Sequence, residues 1–179
     1  ESAVQNVHRL CFQPGALLVR EFDEIFRDVF NKRAPTHRKI VGALVGHRRL
    51  SVSQLSSALK IGRGGTLGEA LDELEKAGFV KKDVSFDPET GKDRKRAICY
   101  RLSDNYLRFY LRYIAPKRRQ IDKGLFKRTP LESMLAWSTV IGLQFENLVL
   151  ESVDTIRTLL DLDQAPLINA GPYWQNKTQ

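Results

Sequence analysis

The sequence predicts a mainly α-helical protein built around three short helices and one β-hairpin. Three observations predict it. Along most of the 179 residues, apolar side chains recur at three- and four-residue spacing, which stacks them on one side of a helix. Between Phe79 and Leu102 that period gives way to alternation about the turn cluster Asp87-Pro88-Glu89-Thr90-Gly91. Ser51 and Thr66 each stand three residues before a Gln54 or a Glu69, the sequence mark of a capped helix start.

Taken in order, residues 3–12 read as the end of a helix stopped by Pro14-Gly15. Residues 17–30 form a second helix, with Leu18, Phe22, Ile25, Phe26, Val29 and Phe30 on one stripe. A boundary is expected at Lys32-Arg33-Ala34-Pro35. Three helices follow, at about 36–46, from Ser51, and from Thr66 to Ala77, with Gly78 placed to end the last. An extended run to Phe86, the turn, and a strand from Arg94 to Leu102 complete the unit. Three helices and then a long hairpin is the order of a winged helix-turn-helix. Asp104 or Ser103 is expected to cap a helix over 105–115 that Pro116 ends. Thr129-Pro130-Leu131-Glu132 then offers an N-cap, a proline at N1 and an acid at N3 for one or two helices reaching about residue 161. Trp137, Val140, Ile141, Phe145, Leu148 and Val149 are among their apolar positions, and residues 164–179 read as loop or strand.

The hydrophobic share of 42% and charged share of 28% are those of an ordinary soluble globular chain. No run of about 18 apolar residues is present, so no membrane contact is expected. The opening Glu1-Ser2-Ala3 lacks signal-peptide character and an initiator Met, so the chain is expected to begin within a longer protein. Cys11 and Cys99 lie far apart, which fits a reducing cytoplasm.

The net charge of +8 is unevenly placed. Residues 1–35 carry five basic and five acidic side chains, and residues 36–105 fourteen against nine. Residues 106–128 carry eight against one, and residues 129–179 two against six. Positive charge concentrated in one stretch can attract a polyanion, or can simply be a solvated face.

Reactive constellations are not evident. The glycine cluster from Gly62 to Gly68 lacks the Lys-Ser/Thr pair of a P-loop and has Leu67 where a dinucleotide fingerprint needs glycine. It reads as the turn between two helices, with anion binding at the following helix start as the alternative. His8, His37 and His47 lack metal-ligand spacing, and no nucleophile elbow appears. No catalysis, cofactor or metal is expected.

Nucleic-acid contact has a basis. The third helix exposes Glu69, Asp72, Glu73 and Glu75 against Lys76 alone, which would repel phosphate and opposes insertion in a major groove. The hairpin carries Lys81, Lys82, Lys92, Arg94, Lys95 and Arg96, and Arg48, Arg49, Lys60 and Arg63 could extend that basic wing. Lys117, Arg118 and Arg119 add a second basic cluster. The aromatics interleaved with Arg108 and Arg112 between Tyr106 and Tyr113 read as a core face with the arginines reaching out to water, and base stacking is the alternative.

Several stretches resemble one family. Arg9-Leu10-Cys11-Phe12, Glu21-Phe22 with Ile25-Phe26 and Phe30-Asn31-Lys32-Arg33, Ala77-Gly78-Phe79-Val80, and above all Tyr100 to Tyr110 are similar to the archaeal-type ATPases. These are P-loop ATPases of the AAA+/STAND kind, found in archaea and bacteria. Residues 142–149 and 171–175 fit as well, so the resemblance spans essentially the whole chain. It implies that residues 1–35 are a helical linker from an ATPase lid and residues 36–104 the winged helix. Residues 105–179 would lead into a truncated nuclease-like domain, with Glu146 matching the Glu of its first helix. The expectation is a non-catalytic C-terminal region of an ATP-binding parent. Its partner would be DNA, held nonspecifically, or else the parent's ATPase domain or a partner protein met by the acidic third helix.

Overall fold

The helices of the first half bury part of the apolar stripes that the sequence spacing predicts. The structure is a computed structural model that describes residues 2–30, 34–62, 65–126, 130–172 and 174, with the side chains of residues 23, 26–30, 95 and 96 outside that description. Helix α1, Ala3–Cys11, opens on a reciprocal cap: the Gln5 amide donates to Ser2 Oγ at 3.2 Å and the Ser2 amide donates to Gln5 Oε1 at 2.7 Å. Helix α2, Leu17–Phe30, buries Val19 and Phe22, and Leu18 and Ile25 pack against the same core. The rest of its predicted stripe, Phe26, Val29 and Phe30, lies outside the described side chains.

The central unit has the predicted order. Helix α3, Ala34–Leu44, begins two residues before the predicted start, because Pro35 fits a first turn where its missing N–H costs nothing. Helix α4, Val52–Leu59, carries the predicted cap, with the Gln54 amide on Ser51 Oγ at 3.2 Å. Helix α5, Gly65–Lys76, starts one residue early, so Thr66 lies inside the first turn and is not the cap residue. Its end is as predicted. Gly78 sits at φ 81°, its amide donates to the Glu75 carbonyl at 3.0 Å, and the Phe79 amide donates to the Leu74 carbonyl at 3.0 Å, which satisfies two orphan carbonyls at once.

Strands β1, Val80–Phe86, and β2, Asp93–Leu102, pair antiparallel from Val80↔Leu102 to Val84↔Ile98, with an irregularity before Phe86↔Asp93. Leu50 adds a single bridge on the other side of β2, exchanging bonds of 2.8 and 2.9 Å with Tyr100. The fold is thus mainly helical with one small antiparallel sheet. The inner face of the hairpin, with Val80, Tyr100 and Leu102, closes over Ile40, Leu55, Leu71 and Leu74.

The second half departs more from expectation. Asp104 caps helix α6, Asn105–Phe109, taking the Leu107 amide at 2.7 Å. The predicted straight run to Pro116 is replaced by a widened turn over Tyr110–Ile114, a tight turn over Ala115–Lys117 that holds Pro116, and helix α7, Arg118–Asp122. Loosening and then tightening the winding absorbs the proline without stopping the chain. It also aims an aromatic row inward: Tyr110 stacks on Phe22 at 4.3 Å, and Tyr113 meets Trp137 at 5.8 Å. Residues from all three expected segments therefore share one core, from Cys11 to Val140.

The helix expected to start at Pro130 does not form there. Leu131–Ser133 make one tight turn, Met134 is extended, and Ala136 is left-handed at φ 59° before helix α8, Trp137–Glu151. Helix α9, Val153–Leu159, follows Ser152. Of the apolar positions predicted for α8, only Val140 is buried, while Phe145 is 63% and Leu148 56% exposed. No described helix is long and apolar enough to cross a membrane.

Two glycines of the central unit have opposite consequences. Gly78→Ala should lower stability by about 1 kcal/mol or more, because its positive φ strains any side chain. Gly68→Ala should raise it by about 1 kcal/mol, since Gly68 lies within α5 and an added methyl meets nothing within 4 Å. Urea unfolding midpoints of the two variants check the pair.

Candidate functional site

Alternation along a strand sends Asp83, Ser85 and Arg101 to the outer face of the hairpin, the side a two-layer unit would leave to water. All three are nonetheless buried. Helix α8, Asn169 and Trp174 lie against this side of the hairpin. The covering contacts are polar, and six charged groups lie in one region.

Arg101 is its centre. Arg101 Nε faces the Asp83 carboxylate at 3.1 and 3.2 Å, and Nη1 donates to Asn147 Oδ1 on α8. Asn147 Nδ2 donates to the carbonyls of Leu102 at 3.0 Å and Ser103 at 2.9 Å. Arg108, 1% exposed, donates to the carbonyls of Leu102 and Val45, each at 2.9 Å. Val45 follows the C-terminus of α3, where carbonyls lack helical partners and attract a cation. Burial pushes the Arg108 guanidinium down to about 10, and the neighbouring Arg101 cation acts in the same direction. The expectation that Arg108 extends to water is therefore corrected. Its head lies among the carbonyls of Val45 and Leu102, which replace the water it has lost. Burial likewise holds the Asp83 carboxyl above the usual aspartate range, against the lowering effect of Arg101.

Beside this network, the Glu146 carboxylate of α8 accepts from Arg48 Nε at 2.8 and 3.0 Å and from Arg49 Nη2 at 3.0 Å. Arg49 lies 4.4 Å from the Trp174 ring centre, and the Trp174 carbonyl accepts from Ser85 Oγ at 3.0 Å. Asn169 Nδ2 reaches the hairpin turn at Gly91 O, 3.0 Å, and Asp93 Oδ1, 2.9 Å. Glu146 raises the pKa of Arg48, whereas burial lowers that of Arg49 despite the same carboxylate.

The predicted basic residues divide. Lys81, Lys82 and Lys92 are exposed on the hairpin. Arg94 is exposed but paired with Asp87 at 3.3 Å. The side chains of Lys95 and Arg96 lie outside the described residues. Lys81 and Lys82 sit at the base of the hairpin and Lys92 and Arg94 at its tip, some 15 Å apart for strands of this rise. In the second cluster only Arg119 is exposed. Lys117 lies over the Phe126 ring at 5.3 Å, and Arg118 donates to Tyr110 Oη at 3.0 Å and faces Asp122 at 3.4 Å. Of the histidines, His8 and His37 are buried, His37 facing Glu73 at 2.9 Å, and His47 is exposed. Among the described residues no cluster of His, Cys, Asp and Glu could hold a metal.

Sequence reasoning missed Asp83, Arg101 and Asn147. The available signal was Asp83 and Arg101 at alternate, outward positions of strands whose inner positions are apolar. Nothing local marks Asn147 as their partner 46 residues away.

Arg101→Ala strands a buried carboxylate and should cost about 3–5 kcal/mol in urea unfolding. Asp83 sets a pH signature. Its folded pKa is raised, so on acidification the folded state takes up this proton before the unfolded chain does, and this group gains stability as pH falls. Asp83→Asn lacks that gain and should lose stability more steeply than the parent as pH falls toward the ordinary aspartate range; an equal slope would contradict it. Comparison with protein-family models, curated proteins and solved structures finds no match to this chain.

Proposed function

We propose that this chain is a non-catalytic winged-helix binding module that grips nucleic-acid backbone through its basic hairpin, within an AAA+/STAND-type ATPase. The observation that carries the reading is the exposure of Lys81, Lys82 and Lys92 on the strands and turn beside an acidic α5. Glu69 and Asp72 of α5 face solvent, while Glu73 pairs with His37 and Glu75 accepts the Lys82 amide at 3.3 Å. A duplex would be repelled by that helix and attracted by the hairpin. Lysine ammonium groups bind phosphate as point charges, so contact of this kind holds DNA without reading its sequence. The order of three helices and hairpin, and the resemblance of residues 100–110 to the ATPase family, support the assignment of the module.

A second reading has its own observation. Glu69 and Asp72 on α5 offer an acidic surface that an ATPase domain or a partner protein could dock. Salt and mutation separate the two. With four phosphate contacts, affinity for a duplex should fall about 100-fold between 50 and 200 mM salt. The variant K81A/K82A/K92A/R94A should lose most of the affinity that the parent shows at 50 mM. Fluorescence anisotropy with a labelled duplex measures both. Equal affinity of parent and variant would discard the hairpin reading and favour the docking one.

A further inference from the structure

Glu146 is the point where α8 meets the cations of the central unit. Arg48 Nε is shared by its two carboxylate oxygens and Arg49 Nη2 donates to one of them, so two guanidinium groups converge on a single oxyanion and leave further N–H donors for another. The two arginines are adjacent in sequence, on the short segment between α3 and α4, and that segment is tied to β2 through Leu50. Their positions are therefore set by the central unit and not by α8. Arg49 is held further by the Trp174 ring, its side chain is only 9% exposed, and its Nε has no hydrogen-bond partner among the described residues. Arg48 is 61% exposed and borders a groove walled by Gly46, Gly142, Phe145 and Pro172, so an external anion can reach it.

The carboxylate is held by a helix that is weakly fastened. Of its fifteen residues α8 buries only Val140 and Asn147, and it begins from a left-handed alanine, an uncommon conformation for a residue with a Cβ. Its grip on the central unit depends on Glu146, Asn147 and the Gln144 amide on the Asn105 carbonyl at 2.9 Å. The Arg48–Glu146 pair, with Arg48 61% exposed, is of the kind that exchanges with water or with another anion at small net cost.

We propose that Arg48 and Arg49 form a phosphate-binding fork and that Glu146 occupies it as a built-in competitor, so that α8 restrains nucleic-acid binding until it is displaced. The proposal rests on the hairpin reading above and adds to it a second contact point and its control. When α8 withdraws, the fork takes a backbone phosphate in place of the carboxylate.

Four variants test it, each measured by anisotropy with a labelled 20-base-pair duplex from 50 to 200 mM salt. Glu146→Gln keeps the size of the side chain and removes the anion. It should bind about tenfold more tightly than the parent at 50 mM, with a log K against log salt slope steeper by about 1 to 2. Glu151→Gln, an exposed position on the same helix, makes the same change in net charge and should do neither. In E146Q/R48A/R49A the gain should vanish. An E146Q protein that binds like the parent overturns the fork, and so does a gain that survives in the triple variant or appears equally in E151Q. The hairpin reading has its separate control. K81A/K82A/K92A/R94A losing affinity while E146Q equals the parent would leave that reading standing and remove this one. A parent that fails to bind together with an E146Q that binds would support the competitor. Failure of both would end both proposals.

Discussion

The structure depends on the constraint that a charge removed from water must find a partner, and Arg101 is where this constraint acts most strongly. Its guanidinium lies on the outer face of a two-stranded hairpin, a position that would be solvated if nothing covered it. Once α8 lies over that face, Asp83 and Asn147 take the Arg101 hydrogen bonds that water gave up. Removing a single member leaves an uncompensated polar atom, so the network acts as one unit. It dictates where α8 can sit far more than apolar packing does, because only Val140 of that helix enters the core.

Two kinds of interface thus meet on the hairpin. The inner face is apolar, tightly closed and shared with α3, α4 and α5. The outer face is polar, and its cover is held by hydrogen bonds and ion pairs that another anion or water could replace. The proposed phosphate fork lies on the exchangeable side, and the proposed hairpin contact lies at its edge.

Winding also positions the parts. The widened turn at Tyr110–Ile114 and the tight turn through Pro116 rotate the aromatic row between α2 and Trp137. The same helix start, capped by Asp104, sends Arg108 back toward α3 and β2. One short segment therefore links the first helices, the hairpin and the base of α8.

Local chemistry in the sequence determined the first half of the fold. Ser51 with Gln54 starts a helix, Gly78 ends one, and the change of period at Phe79 opens the strands; each effect spans fewer than about six residues, within reach of backbone and side-chain bonding. The exposure of Lys81, Lys82 and Lys92 agrees with the sequence reading of a basic hairpin, although alternation puts Lys81 and Lys82 on opposite faces. The sequence did not determine where α8 begins. The Pro130 signal competes with the extended Met134 and left-handed Ala136, and that contest is decided by what the segment packs on. Nor did it determine that Arg108 is buried, that Lys117 and Arg118 pack against Phe126 and Tyr110, or that Glu146 meets Arg48 and Arg49 nearly a hundred residues away. Those outcomes belong to the tertiary structure, because the energy of a charged side chain depends on which distant groups share its low-dielectric surroundings, and no local pattern carries that information.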